Sequence, residues 1–170
     1  MSNLSPLIKT LTIDGFYSKE GAVNLSNVAI GLKFEPTDIG KEIRNFNHVP
    51  ANANDLFSNA LNRKVEVIRD RSGVFRIPEH FIHFESFDSL KEWIFVVALE
   101  PSTFNLFEHQ SGAKNATEGY KFQYRNLFEW DLKVNYLLDP GQGIFFRPWL
   151  FHSFDGGLIQ VFRMNEIDEI

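Results

Sequence analysis

The chain contains no cysteine. Disulfides, thiolate metal sites and cysteine nucleophiles are therefore excluded, and a reducing setting, taken as the cytoplasm, is expected. It also lacks any block of lysine or arginine. With a formal net charge of -5 and both signs mixed along the sequence, it offers little to a nucleic-acid backbone. No apolar run reaches the length of a membrane span, and the opening Met-Ser-Asn-Leu-Ser-Pro lacks the basic and apolar regions of a signal peptide. Neither nucleic acid nor membrane is expected as a partner. Gly141-Gln-Gly143 has no following Lys and Ser/Thr and so is a turn rather than a phosphate loop. No Ser-centred nucleophile elbow, no His-Glu-x-x-His helix, no internal repeat and no low-complexity segment is present.

What the chain does have is aromatic, β-type sequence. Its 170 residues suit one domain, 1-170, around one core, and hydrophobic residues make up 44% of them. Aromatic residues make up 15%, with 18 Phe, a residue that fills wide β interiors. Residues 7 to 13 read as a strand. Ser18 caps a short helix from Lys19 to about Ser26, weakened by Gly21. Val28, Ile30, Leu32 and Phe34 alternate, a strand signal. One turn of helix is expected over residues 39 to 43. Leu56, Phe57, Ala60 and Leu61, preceded by Asn54, share a helical face and mark the best helix.

From Lys64 onward the pattern is β. Lys64 to Arg69 and Val74 to Ile77 predict a hairpin around Asp70-Arg71-Ser72-Gly73. Glu92 to Leu99, Phe104 to Glu108, Trp130 to Leu138, Ile144 to Arg147, Leu150 to Phe154 and Leu158 to Met164 follow as strands. Gly156-Gly157 is expected to be a hairpin turn setting the last strand against that of His152. Asn165 to Ile170 is expected to fray. The aromatic residues Trp130, Trp149, Phe145, Phe146, Phe151 and Phe154 are expected in the core. Many short strands after a small helical N-terminal part predict a mainly β fold: a double-stranded β-helix, that is, a cupin-like jelly roll.

The candidate chemistry lies in His83-Phe84-Glu85 and His152. Residues two apart on a strand point the same way, so His83 and Glu85 project together. A second imidazole from a distant strand would complete a facial set of two His and one carboxylate. That set suits non-haem Fe(II) and leaves positions open for O2 and a co-substrate. His-x-Glu alone is a common pattern, however, and His80 and His83 would be equally at home on a sheet edge or the surface.

The chain resembles the small 2-oxoglutarate/Fe(II)-dependent oxygenase superfamily of prolyl-hydroxylase-like type. The pieces come in order: Leu11 to Glu20 as the entry strand and helix start, and Gly73 to Glu85 as the strand with His-x-Asp/Glu. Trp93 to Pro101 stands as a core strand, Thr103 to Gly112 with its aromatic-x-His-x-x-Gly ending, and Gly143 to His152 with Leu158 to Phe162 as the distal His and closing strands. The resemblance implies a dioxygenase that hydroxylates a small-molecule or protein substrate. Its iron would sit on His83, Glu85 and His152, with Glu where the family more often has Asp. It further implies a basic residue on the closing strand that anchors 2-oxoglutarate. In the most natural register that place is held by Leu158-Ile-Gln160, with Arg163 on the opposite face. Arg163 on a shifted strand, Arg147, Gln160, Arg76 or Arg125 are the candidates for the anchor, and His109 is a candidate substrate contact or the start of a solvated loop. Two other readings stay open: the same fold without turnover, used for binding or assembly, and a cupin-like metal protein that does not use 2-oxoglutarate. A homodimer is also open.

Overall fold

The computed structural model describes residues 10–37, 40–44, 48–76, 82, 91–112 and 129–168. Its elements run β1 (Thr10–Ile13), α1 (Lys19–Ile30), β2 (Glu35–Thr37), β3 (Gly40–Arg44), α2 (Ala53–Leu61), β4 (Val65–Val67), a 3-10 turn (Arg69–Arg71) and β5 (Gly73–Arg76). They continue with β6 (Glu92–Ala98), β7 (Ser102–His109), β8 (Trp130–Leu138), β9 (Gly143–Phe146), β10 (Phe151–Asp155) and β11 (Leu158–Glu166). The described residues are thus mainly β, with two α-helices among them. Among the described residues all strand pairs are antiparallel and fall into an eight-stranded and a three-stranded sheet. The larger is ordered β1-β9-β6-β11-β5-β3-β2, with β4 also on β11, and the smaller β10-β7-β8.

The two sheets face each other as a sandwich. Their shared interior takes Phe75, Ile94, Val96, Ile144, Phe146, Ile159 and Val161 from the larger sheet, and Phe104, Leu106, Leu138 and Phe154 from the smaller. Because side chains alternate along a strand, the next residues along face the other way and need a second cover. Phe95, Phe145, Phe162 and Met164 pack under Phe57 and Leu61 of α2, while Val74, Leu99 and Leu158 pack under Ala22 and Ala29 of α1. The larger sheet is therefore apolar on both faces, which is why β6 is buried along its whole length.

Several expectations change. Helix α1 runs to Ile30 rather than stopping near Ser26, so the alternation over 28–34 is not a strand. Its buried residues are Ala22, Ser26 and Ala29, a helical stripe of small side chains, while Val28, Ile30 and Leu32 are exposed. Ser18 Oγ accepts from the Gly21 amide, 2.9 Å away, so Ser18 is the cap, as expected. Residues 40–44 form strand β3 and not a helical turn. Strands β4 and β5 do not form a hairpin: both pair with β11, and the 3-10 turn between them carries the chain along that strand. The segment after Met164 does not fray at once. β11 continues to Glu166, whose amide bonds the Lys91 carbonyl, and Ile167 bonds that of Lys64.

Gly156-Gly157 also has a different task. β10 pairs with β7 and β11 with β6, so this turn carries the chain from one sheet to the other. Both glycines have positive φ, and a Cβ on Gly157 would lie 2.6 Å from the Pro101 carbonyl oxygen. Among the described residues no helix is long and apolar enough to cross a membrane.

Candidate functional site

His152 lies on β10 and is completely buried. Its Cα partner across the sheet is Leu106, and Phe154 pairs with Phe104, so His152 shares the interior face of the smaller sheet. The imidazole is walled by Phe146, Phe154 and Phe104, with ring centroids 4.5, 5.8 and 6.1 Å away. Nδ1 donates to the Leu150 carbonyl oxygen at 2.8 Å. A carbonyl can only accept, so the bond places a proton on Nδ1. That is the state in which a metal-binding imidazole is held by its other nitrogen.

His83 and Glu85 lie outside the described residues, as does Arg125. Among the described residues no three His, Asp or Glu side chains are grouped so that they could hold a metal ion. Ile82, which directly precedes His83, is described. It is fully buried in one cluster with Trp130 and Phe151, and Phe151 is the chain neighbour of His152.

Across the gap, β11 presents Ile159 and Val161 to the interior. Arg163 follows in the same alternation and so faces inward too, with its side chain only 12% exposed. Leu158 and Gln160 face outward, toward the helices. Gln160 accepts from Tyr17 Oη at 2.8 Å and donates to the His48 carbonyl at 2.9 Å. Arg163 is thus on the interior face of β11, while Leu158 lies on the face packed against the helices. Counted from the crossing at Gly156-Gly157, Arg163 lies two residues further along than His152, roughly 7 Å at ~3.3 Å per residue, with sheets ~10 Å apart.

Glu92, unnoticed in the sequence, completes this end. It lies on the face of Ile94 and Val96, and its carboxylate Oε1 is 3.9 Å from Arg163 Nη1 and 3.7 Å from Arg71 Nη2. The available signal was a carboxylate heading a strand that is otherwise wholly apolar.

Arg147 sits elsewhere. It stacks 3.5 Å over the Trp93 ring, donates to the Glu92 carbonyl oxygen at 2.9 Å and pairs with Glu166 at 3.2 Å. Trp93 belongs to the α2-facing core, so this guanidinium ties β9, β6 and β11 together on the outer face. Burial lowers its pKa, opposed by Glu166. Arg76 is exposed and pairs with Glu100 at 3.5 Å. His109 is not the start of a solvated loop: it ends β7, buried, on the face of Phe107 and opposite to His152. The Ser111 amide donates to its Nδ1 at 3.1 Å, and its Nε2 is 3.4 Å from Glu129 Oε2.

No family model matches the chain, and no curated protein matches its sequence. Solved structures do match. HygX from Streptomyces hygroscopicus with nickel and 2-oxoglutarate bound is 9% identical, with a TM-score of 0.58 over 93% of this chain and 83% of that one. The non-heme alpha ketoglutarate dependent epimerase SnoN from nogalamycin biosynthesis is 10% identical, with a TM-score of 0.60 over 93% and 78%. An oxidoreductase of the 2OG-Fe(II) oxygenase family from Burkholderia pseudomallei is 10% identical, with a TM-score of 0.57 over 94% and 85%. The chain is therefore similar in fold, along nearly its whole length, to 2OG-Fe(II) oxygenases.

Proposed function

We propose that this protein is a 2-oxoglutarate- and Fe(II)-dependent dioxygenase built on a double-stranded β-helix, and that it hydroxylates a small-molecule or protein substrate. The observation that carries the reading is that His152 and Arg163 face one interior from opposite sheets. His152 fits a metal, because its Nδ1–H is committed to Leu150 and Nε2 is the ligating nitrogen. Arg163 fits a carboxylate, because a buried guanidinium fork matches two oxygens at once.

His83, Glu85 and His152 would hold the iron. The His-x-Glu spacing supports the first two, since it suits one face of an extended strand; Ile82, directly before them in the chain, packs with Phe151 on the other face of the smaller sheet from His152. When bound, Fe(II) and 2-oxoglutarate supply the oxidation of an unactivated C–H bond by O2. The chain's own residues orient and exclude water. Phe104, Phe146 and Phe154 surround the imidazole with apolar surface, which keeps the site dry. Arg163 would hold the carboxylate of 2-oxoglutarate.

Adding Fe(II) and 2-oxoglutarate without oxygen should produce a weak visible charge-transfer band. No band in the wild-type protein, or an unchanged one in His152→Ala, would sink the proposal.

A further inference from the structure

Arg163 does not wait alone for its ligand. Within the described residues Glu92 Oε1 stands 3.9 Å from Arg163 Nη1 and 3.7 Å from Arg71 Nη2. The three differ in burial: the Glu92 and Arg163 side chains are 8% and 12% exposed, whereas that of Arg71 is 49% exposed. One buried carboxylate is therefore shared between a buried and a half-exposed guanidinium. We infer that Glu92 is an internal competitor for the co-substrate carboxylate, and that Arg71 receives Glu92 when Arg163 turns to the ligand. The inference rests on the reading of Arg163 as the 2-oxoglutarate anchor.

Charges in a poorly solvated place need partners of opposite sign. A carboxylate with this little water is strongly disfavoured without a cation. A dicarboxylate that takes Arg163 would strand Glu92 if Arg163 were its sole partner. Arg71 removes that penalty, since it reaches the same oxygen from the 3-10 turn between β4 and β5. Glu92 thus weakens binding of any acid with a distal carboxylate, and Arg71 limits the weakening without touching the ligand. The pair sets how much 2-oxoglutarate is needed to fill the site.

Calorimetric titration of 2-oxoglutarate into the Mn(II)-loaded protein tests this without turnover. Glu92→Gln should tighten binding about 10-fold, Arg71→Ala should weaken it about 5-fold, and Arg71→Ala should have less than about 2-fold effect when Glu92 is already Gln. Pyruvate, which lacks the distal carboxylate, should bind wild type and Glu92→Gln alike. If Glu92→Gln does not fold, Glu92→Asp draws the carboxylate back by one methylene and should tighten binding in smaller measure. Equal 2-oxoglutarate affinity in wild type and Glu92→Gln, or an equal gain for pyruvate, overturns the inference and leaves the proposed function standing. No binding of 2-oxoglutarate to any of these proteins overturns both.

Discussion

His152 Nδ1 and the Leu150 carbonyl oxygen are 2.8 Å apart, and that one bond fixes Nδ1 as a protonated ring nitrogen. The acceptor is backbone, so no side-chain substitution nearby removes it. The tautomer is built into the entry to β10 itself. Fully buried among Phe104, Phe146 and Phe154, the ring cannot turn without displacing aromatic neighbours.

The first prediction concerns metal. His152→Ala should lower Mn(II) or Fe(II) affinity by more than about 100-fold, since loss of even an outer partner of a ligand costs ~10–100-fold. His83→Ala and Glu85→Ala should do the same, each measured by titration on protein whose fold is verified by circular dichroism. An affinity that survives in any one of the three removes that residue from the ligand set.

The second prediction separates two arginines that look alike in the sequence. Arg163→Ala should raise the Kd for 2-oxoglutarate by ~10–100-fold, the worth of a charge-assisted hydrogen-bonded pair. Arg147→Ala should leave that Kd unchanged in the folded protein but cost about 2–4 kcal/mol of stability, because Glu166 loses a close partner and Trp93 its stacked cation. Urea unfolding measures the second effect and calorimetry the first. The reverse pattern would move the anchor to the outer face.

These two arginines also show where the sequence was legible. The strands from Glu92 onward were found almost to the residue, because apolar runs bounded by Pro101, Asp139-Pro140 and Gly156-Gly157 leave little choice. The inward face of β11 was not. Ile159 and Val161 are as apolar as Leu158 and Phe162, since helices cover one side and the smaller sheet the other. Period-two alternation carries no sign when both faces are buried, so the sequence places Arg163 on the face opposite to Leu158 and Gln160 without saying which of the two faces is the interior. Helix α1 was cut short for a related reason. Its contact face is Ala22, Ser26 and Ala29, too small to outweigh the larger exposed Val28, Ile30 and Leu32 in a reading by hydrophobicity. The pairing of Arg71 with Glu92 joins residues far apart in sequence, and no local pattern announces it.

The third prediction tests the sheet crossing that sets His152 against Arg163. Gly157→Ala should cost at least about 2 kcal/mol, since it adds a left-handed conformation to a Cβ 2.6 Å from the Pro101 carbonyl oxygen. Gly156→Ala, with nothing within 4 Å of its Cβ, should cost about 1 kcal/mol for the positive φ alone. Thermal and urea unfolding of the two variants should rank them in that order. Equal losses would mean that the turn yields to the added methyl.

The fourth prediction concerns alkaline pH. Burial raises the Tyr17 hydroxyl above its ordinary value of 10.0, and the proton it donates to Gln160 is one that only the neutral phenol carries. Above pH ~10 the unfolded chain releases this proton while the folded protein still holds it. The folded state then binds more protons, so stability falls as pH rises. Below pH ~10 both states are protonated and Tyr17 adds no slope. Tyr17→Phe should flatten the alkaline limb of a stability-against-pH curve. It should also cost about 1–2 kcal/mol at neutral pH, because the Gln160 carbonyl loses its donor. Urea unfolding at pH 7 and at points from 9 upward reads both effects. If the limb keeps its slope in Tyr17→Phe, the hydroxyl reaches water in the folded protein, and the packing of the Tyr17 segment over β11 is looser than its bond to Gln160 implies.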